Sequence, residues 1–224
     1  RMPIPSHWNP DGWLADLKTA ELDATRDYRL RLSVWRTGEL GYAPEPRAGV
    51  EWDVTATPID GIGYPVPVLR PELGLFQDHR KSAGILSNVK TSSAVLYVLA
   101  AGFAREQRVE EVLILNHENQ VLEASKSNVM LVQGEEIITP PLSAGALRGV
   151  MREVVLGLAP SLGLQVREEV FSPFALQSAD EGWLTNAVHG VAAVRKFRKT
   201  EYSSNRAEAM QKLVIERAHL AQFQ

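Results

Sequence analysis

The sequence contains no cysteine, which excludes disulfide bonds, thiolate catalysis and cysteine-based zinc or iron–sulfur sites. It also lacks a long apolar run: the longest, residues 94–104, has 11 residues, and a membrane-spanning helix needs roughly 18. The 5 histidines never pair at the spacing of metal ligands, so no metal site is expected. These absences favour a cytoplasmic protein without a membrane partner.

Strong charge of either sign is missing as well. The formal net charge is −3, and no five like charges follow one another. This pattern gives no indication of a nucleic-acid partner or of an anionic membrane surface. Because 224 residues can bury a sizeable core, the sequence favours a folded protein that binds small molecules.

The hydrophobic pattern mixes helices and strands without strict alternation, which predicts an α+β fold with mainly antiparallel or mixed sheets. Residues 61–71 are dense in Gly and Pro and favour a boundary. We therefore predict a small N-terminal domain over residues 1–62, a linker over 63–72 and a larger domain over 73–224. Within these we predict helices after residue 11, from a Thr91, Ser92 or Ser93 cap to about 106, from 150 to about 157 and over 205–223. The predicted strands are 28–36, 50–57, 111–115, 121–124, 129–132, 136–139, 166–170, 183–186 and 191–194.

Lys90 is the candidate reactive amine. Most lone lysines are solvated surface groups, but Lys90 follows Gly84-Ile85-Leu86 and precedes the 11-residue apolar run. This setting predicts a partly desolvated ammonium. Desolvation disfavours the charged form of a lysine and so lowers its pKa. A lysine that forms a Schiff base needs such a lowered pKa, because it reacts as the neutral amine.

Glu123 is the candidate carboxylate. It belongs to an otherwise apolar strand, so it is either a hairpin glutamate facing water or a carboxylate aimed at a cationic ring nitrogen. Two further features suit an anion such as phosphate. Gly149 stands at the threshold of a helix, whose free amides attract anions, and Thr185-Asn186-Ala187-Val188 forms a second turn after a strand.

In order along the chain, these residues resemble class IV aminotransferases of pyridoxal phosphate fold type IV, a family that includes branched-chain and D-amino acid aminotransferases and aminodeoxychorismate lyase. The resemblance covers about residues 12–200. It rests on Asn-Val-Lys-Thr at 88–91, Glu-Val-Leu-Ile-Leu-Asn at 111–116, Val-Leu-Glu-Ala-Ser-Lys-Ser-Asn at 121–128, Ile-Ile-Thr-Pro-Pro-Leu at 137–142, Leu-Arg-Gly-Val-Met-Arg at 147–152, and Trp-Leu-Thr-Asn-Ala at 183–187 with Val194.

The resemblance implies a fold type IV enzyme with a small, incomplete N-terminal α/β part and a larger C-terminal mixed-sheet domain that binds pyridoxal 5'-phosphate. It implies that Lys90 forms the Schiff base and moves the proton at Cα, while Glu123 bonds the pyridine nitrogen. It also implies a homodimer that acts on a small-molecule amino acid or amino-chorismate substrate. The other cofactor-binding residues that it implies are Asn128, Gly149, Val150, Met151, Asn186 and Ala187.

The chain departs from the family in several places. The arginine that grips the phosphate in family members would precede residue 1, so we expect that the N-terminal domain is only partly included. Ser92, Ser93 and Ala94 stand where a Tyr or Asn contacts the ring hydroxyl, and residues 41–44 do not match the substrate-binding Arg and His of D-amino acid enzymes. Basic residues on strand 28–36 are the candidate carboxylate ligands of the substrate, or else surface residues: Arg29, Arg31 and Arg36.

Three alternatives stay open and a fourth fails. The enzyme could be a 4-amino-4-deoxychorismate lyase rather than a transaminase, or the chain could be an inactive ligand-binding paralogue. Ser87-x-x-Lys90 also fits penicillin-recognising serine enzymes, but the Lys-Thr-Gly that they need is replaced by Lys-Thr-Glu at 199–201 and Lys-Thr-Ser at 90–92. A dinucleotide site at residues 61–66 fails because Val66 stands where glycine is required.

Overall fold

The computed structural model describes residues 12, 22, 23, 25–38, 49–59 and 63–221. Most of the helix predicted after residue 11 therefore lies outside the described residues. The chain divides into two compact units, residues 1–63 and 64–224. The first contains an antiparallel pair, β1 (Tyr28–Arg36) and β2 (Val50–Pro58), in which Tyr28 faces Pro58 and Arg36 faces Val50. Both strands agree with the sequence prediction.

The second unit contains two five-stranded sheets. One has the order β12-β11-β3-β4-β5 and the other β10-β9-β6-β7-β8. Parallel pairs, β3 with β4 and β7 with β8, occur beside antiparallel pairs such as β4 with β5 and β6 with β9, so both sheets are mixed. The strands are β3 (Glu72–Leu75), β4 (Glu111–Leu115), β5 (Val121–Ala124), β6 (Asn128–Gln133), β7 (Glu136–Thr139), β8 (Gln165–Glu168), β9 (Glu181–Asn186), β10 (Gly190–Ala193), β11 (Lys196–Phe197) and β12 (Thr200–Glu201).

Three α-helices cover these sheets in the described part of the chain: α1 (Val95–Gln107), α2 (Val150–Leu158) and α3 (Asn205–Ala221). Alternation along β6 separates two cores, because successive strand side chains point to opposite faces. Met130 belongs to the cluster that includes α2 and α3, whereas Val129 belongs to the cluster shared by the two sheets. A third cluster joins α1 to β4 through Ala100 and Ile114. The α+β prediction is confirmed.

Two details differ from the sequence-based picture. Helix α1 begins at Val95 with Ala94 as N-cap and no side-chain capping bond, so the predicted Ser or Thr cap is wrong. The Thr91 hydroxyl instead donates to the carbonyl of Ser93 at 3.3 Å. The predicted linker segment contains Val68, which is buried. Among the described residues, no helix has the length and apolarity to span a membrane.

Candidate active site

Glu123 is a buried carboxylate that accepts hydrogen bonds from three donors. Its side chain, in β5, is only 2% exposed. Its Oε1 accepts from the Lys81 ammonium at 2.7 Å and from the Tyr97 hydroxyl at 2.5 Å, and its Oε2 accepts from the backbone N–H of Leu147 at 2.7 Å. The water-facing interpretation of Glu123 is therefore wrong.

The β4–β5 hairpin fixes the position of Glu123 along its strand. Asn116 closes the turn, because its Oδ1 accepts from the backbone N–H groups of Glu118 at 3.0 Å and Gln120 at 2.8 Å. This local bonding is why Asn favours turns. The resulting register places Glu123 opposite Ile114, and every residue of both strands is buried.

Lys90 lies at the end of a turn segment and its side chain is exposed. The partial desolvation predicted from the flanking apolar residues is wrong. The apolar run does not begin its helix until Val95, and the preceding residues Ile85 and Leu86 are themselves exposed. Apolar neighbours in sequence therefore do not surround the ammonium in space.

The turn that carries Lys90 is anchored to the loop before α2. The Asn88 side-chain nitrogen donates to the carbonyl oxygens of Leu142 at 2.8 Å and Ala146 at 2.6 Å. The backbone N–H of Arg148 in turn donates to the carbonyl of Asn88 at 3.2 Å. This loop also supplies the amide donor of the buried carboxylate, so the candidate amine and the carboxylate are fixed to the same segment.

The N-terminus of α2 is open to an anion. Gly149 is the N-cap residue in an extended conformation, and it provides no side-chain capping bond. Helix N-terminal amides have no partner within the helix and attract negative charge. The helix has nine residues and begins at Val150, followed by Met151, so the predicted phosphate-binding residues stand at its first turn.

Gly149 allows a close approach that no larger residue permits. A Cβ atom at this position would lie 2.0 Å from the Oδ1 of Asn128. Asn128 is held there by its own Nδ2, which donates to the carbonyl of Leu147 at 2.8 Å. Two of the predicted site segments, those of Asn128 and Gly149, thus meet at the start of α2.

The second predicted turn is ordered by Asn186. Its Oδ1 accepts from the backbone N–H groups of Val188 at 3.0 Å and His189 at 2.9 Å, and its Nδ2 donates to the Ser127 hydroxyl at 3.1 Å. Ser127 in turn donates to Glu111 at 2.8 Å. The Asn186 side chain is therefore committed to the turn, which leaves the backbone as the part that can bind a ligand.

One buried polar atom beside this turn has no partner in the described part of the chain. It is the hydroxyl of Thr185, a residue only 1% exposed. Thr185 is the cross-strand partner of Asn128, and directly opposed residues in a sheet project to the same face. The side chain of Asn128 reaches Gly149. An orphaned donor beside an uncapped helix and a glycine cradle fits a phosphorylated cofactor.

Glu111 holds the segment that follows Glu123. It lies at the start of β4, and its two oxygens accept from Ser127 and from the backbone N–H of Lys126 at 3.0 Å. Burial raises the pKa of Glu111, while the bonds from Ser127 and Lys126 oppose this shift.

Comparison with known proteins gives the family. Residues 2–197 match the amino-transferase class IV family. The chain belongs to this family. Curated class IV relatives include an aminodeoxychorismate lyase of Vibrio harveyi, 30% identical over 70% of this chain and 58% of the lyase. Another is a branched-chain-amino-acid aminotransferase of Escherichia coli, 27% identical over 52% of this chain and 38% of that enzyme.

A solved aminotransferase structure confirms the predicted fold. An aminotransferase from Brucella abortus, bound to the cofactor PLP, is similar with a TM-score of 0.78 and 20% identity, over 92% of this chain and 74% of that one. The chain therefore spans only part of the length of its class IV relatives, about 40% to 60% in the curated ones.

Two residues around Glu123 were missed by sequence reasoning in this class IV chain, Lys81 and Tyr97. Lys81 carried no signal, because it follows a short strand within a polar stretch. Tyr97 did carry one: a hydroxyl inside the apolar run needs a partner when it is buried. The predicted substrate ligands Arg29, Arg31 and Arg36 lie on β1 in the other compact unit, and their role stays a prediction.

Proposed function

We propose that this chain is part of a pyridoxal phosphate-dependent class IV aminotransferase-like enzyme that acts at Cα of an amino acid, with Lys90 as its Schiff-base residue. The observation that supports this most directly is the buried Glu123 side chain, which accepts hydrogen bonds from Lys81, Tyr97 and the Leu147 amide. Such a carboxylate suits a protonated pyridine nitrogen. PLP supplies the electron sink that lowers the barrier to proton removal at Cα.

The chain's own residues divide the remaining work. Lys90 would act as the base that removes the proton from Cα of the substrate. Glu123 accepts a hydrogen bond from the ring nitrogen and fixes that end of the ring. The N–H groups of Val150 and Met151, with the backbone of Asn186 and Ala187, hold the phosphate. The two ends of the ring would have separate anchors. These anchors would determine which Cα bond reacts, since orientation is a large part of catalysis.

A second candidate function is 4-amino-4-deoxychorismate lyase. The similarity to the Vibrio harveyi lyase, which aligns with 70% of this chain, supports this candidate. The lyase needs the same cofactor and the same amine, so the cofactor site alone does not separate the two reactions.

The test begins with cofactor binding. Wild type mixed with PLP is expected to develop visible absorbance that Lys90→Ala lacks, while Lys199→Ala, a change at another exposed lysine, retains it. Identical spectra for wild type and Lys90→Ala would contradict the assignment. Amino donors with a keto-acid acceptor, and separately aminodeoxychorismate, then distinguish the transaminase from the lyase. Cofactor binding with neither activity would indicate an inactive ligand-binding paralogue.

A separate part of this proposal concerns the residue that binds the substrate carboxylate. Arg29 and Arg31 are exposed and Arg36 is half-buried on β1. If one of them binds the substrate carboxylate, its replacement by Met raises KM by about tenfold or more, the value of a charge-assisted bond. Unchanged KM in all three variants would leave them as surface residues.

A further inference from the structure

Glu123 has an environment that its proposed role alone does not require. Lys81 and Tyr97 both donate to the same oxygen, Oε1. Lys81 is 9% exposed and forms a buried ion pair with Glu123 at 2.7 Å. Its ammonium also lies 5.6 Å from the centroid of the Tyr97 ring. The three side chains form one cluster, which we call the Glu123 cluster.

We propose that Lys81 and Tyr97 are positioning residues that keep Glu123 ionised and reserve one acceptor site on its Oε2 for the cofactor's ring nitrogen. This inference rests on the proposed function. An ionised carboxylate offers about four lone-pair sites. Lys81 and Tyr97 occupy the two on Oε1, and the Leu147 amide occupies one on Oε2. One site remains, so the ring nitrogen must bond there as a donor.

Lys81 provides the charge that this arrangement needs. An isolated carboxylate taken out of water prefers to become neutral, and a neutral Glu123 would carry its own proton at one of these sites. A cation in direct contact offsets the desolvation of both groups when the remaining hydrogen bonds are also made. Lys81 meets this condition, because its Nζ donates to the Ser87 carbonyl at 2.9 Å as well.

Tyr97 provides a donor that does not change with pH. Burial, followed by the charge and hydrogen bond of Glu123, raises the pKa of Tyr97 well above its ordinary value. Its hydroxyl therefore stays protonated at neutral pH and serves as a donor to Oε1. A permanent donor on Oε1 fixes the rotation of the carboxylate and directs Oε2 toward the Leu147 amide.

Lys81 is not itself the Schiff-base residue. The aldehyde carbon of pyridoxal phosphate lies on the opposite side of the ring from its nitrogen, whereas Lys81 is bonded to the carboxylate that receives the nitrogen. Its second bond goes to Ser87, three residues before Lys90. Lys81 thus links the carboxylate to the turn that carries the candidate amine.

The test compares Lys81→Met, Lys81→Arg and Tyr97→Phe with Lys199→Met, which removes an exposed lysine. Infrared difference spectra of the cofactor-free proteins report whether a buried carboxyl is protonated, and Glu123→Gln identifies the band. We expect a protonated carboxyl at neutral pH in Lys81→Met, but not in wild type, Lys81→Arg or Lys199→Met. In Tyr97→Phe we expect a shifted carboxylate band, since one donor is lost.

Cofactor affinity gives a second measurement. Lys81→Met is expected to weaken PLP binding about tenfold, the difference between a bond to a charged and to a neutral acceptor, and Lys81→Arg to restore most of it. A Lys81→Met protein with an ionised Glu123 and wild-type affinity overturns the inference. If Lys81→Met does not fold, an unshifted carboxylate band in Tyr97→Phe overturns it. Failure of wild type to bind PLP would instead overturn the proposed function, while the infrared comparison still decides the charge of Glu123.

Discussion

The side-chain oxygen of Asn128 lies 2.0 Å from the place where a Cβ atom on residue 149 would stand. Only glycine leaves room there, and the same Asn128 holds the carbonyl of Leu147, whose N–H donates to Glu123. Close packing at the start of α2 and the orientation of the carboxylate in β5 are therefore parts of one hydrogen-bonded arrangement.

Gly149→Ala tests this close approach. The new methyl group displaces Asn128, so we expect the free energy of unfolding to fall by about 1–3 kcal/mol, as in other overpacked sites, and PLP affinity to fall with it. Gly157→Ala is the matched control: it lies within α2, and a Cβ there meets no atom within 4 Å. That variant should gain about 0.5–1 kcal/mol from helix propensity, and both values come from urea denaturation. Equal stability of wild type and Gly149→Ala would contradict the crowding.

Asn88 makes a second testable connection, between the Lys90 turn and the loop before α2. Asn88→Ala removes two hydrogen bonds, to Leu142 and Ala146, each worth about 1 kcal/mol. We expect faster amide hydrogen exchange in residues 84–92 and weaker PLP binding. Gln107→Ala, at the end of α1, is the control. Unchanged exchange in the turn would show that Asn88 does not anchor it.

The sequence located many of these parts but not their contacts. The hairpin that carries Glu123 and the start of α2 were predictable, because two short apolar runs joined by a turn, and a glycine before a helix, act through local geometry. The exposure of Lys90 was not, since residues 84–92 form turns that sequence neighbours do not reveal. The pairing of Lys81 with Glu123 spans 42 positions, and it arises only when β3, β4 and β5 assemble.

The buried Glu111 predicts a pH dependence of stability. Because the pKa of Glu111 is raised in the folded state, the folded chain binds the Glu111 proton more tightly than the unfolded chain does. Its stabilising contribution is complete below the ordinary value of 4.5 and is lost as pH rises toward the folded pKa. Wild type should therefore gain stability relative to Glu111→Gln between neutral pH and a pH near the ordinary value of 4.5. Urea denaturation at both pH values measures this, and a difference that stays constant would show that Glu111 has no raised pKa.

The last prediction concerns the homodimer that the family resemblance implies. Val95 and Val98 on α1 are each 68% exposed. In the turn before Lys90, Ile85 is 84% exposed and Leu86 is 69% exposed. Large apolar side chains this exposed are typical of a surface that a partner covers. If a second copy of the chain covers it, Val95→Lys/Val98→Lys converts the dimer to a monomer in light scattering. Val166→Lys on the exposed strand β8 should leave the mass unchanged. A wild-type monomer would contradict the homodimer, whereas a dimer that survives the double change would place the interface elsewhere.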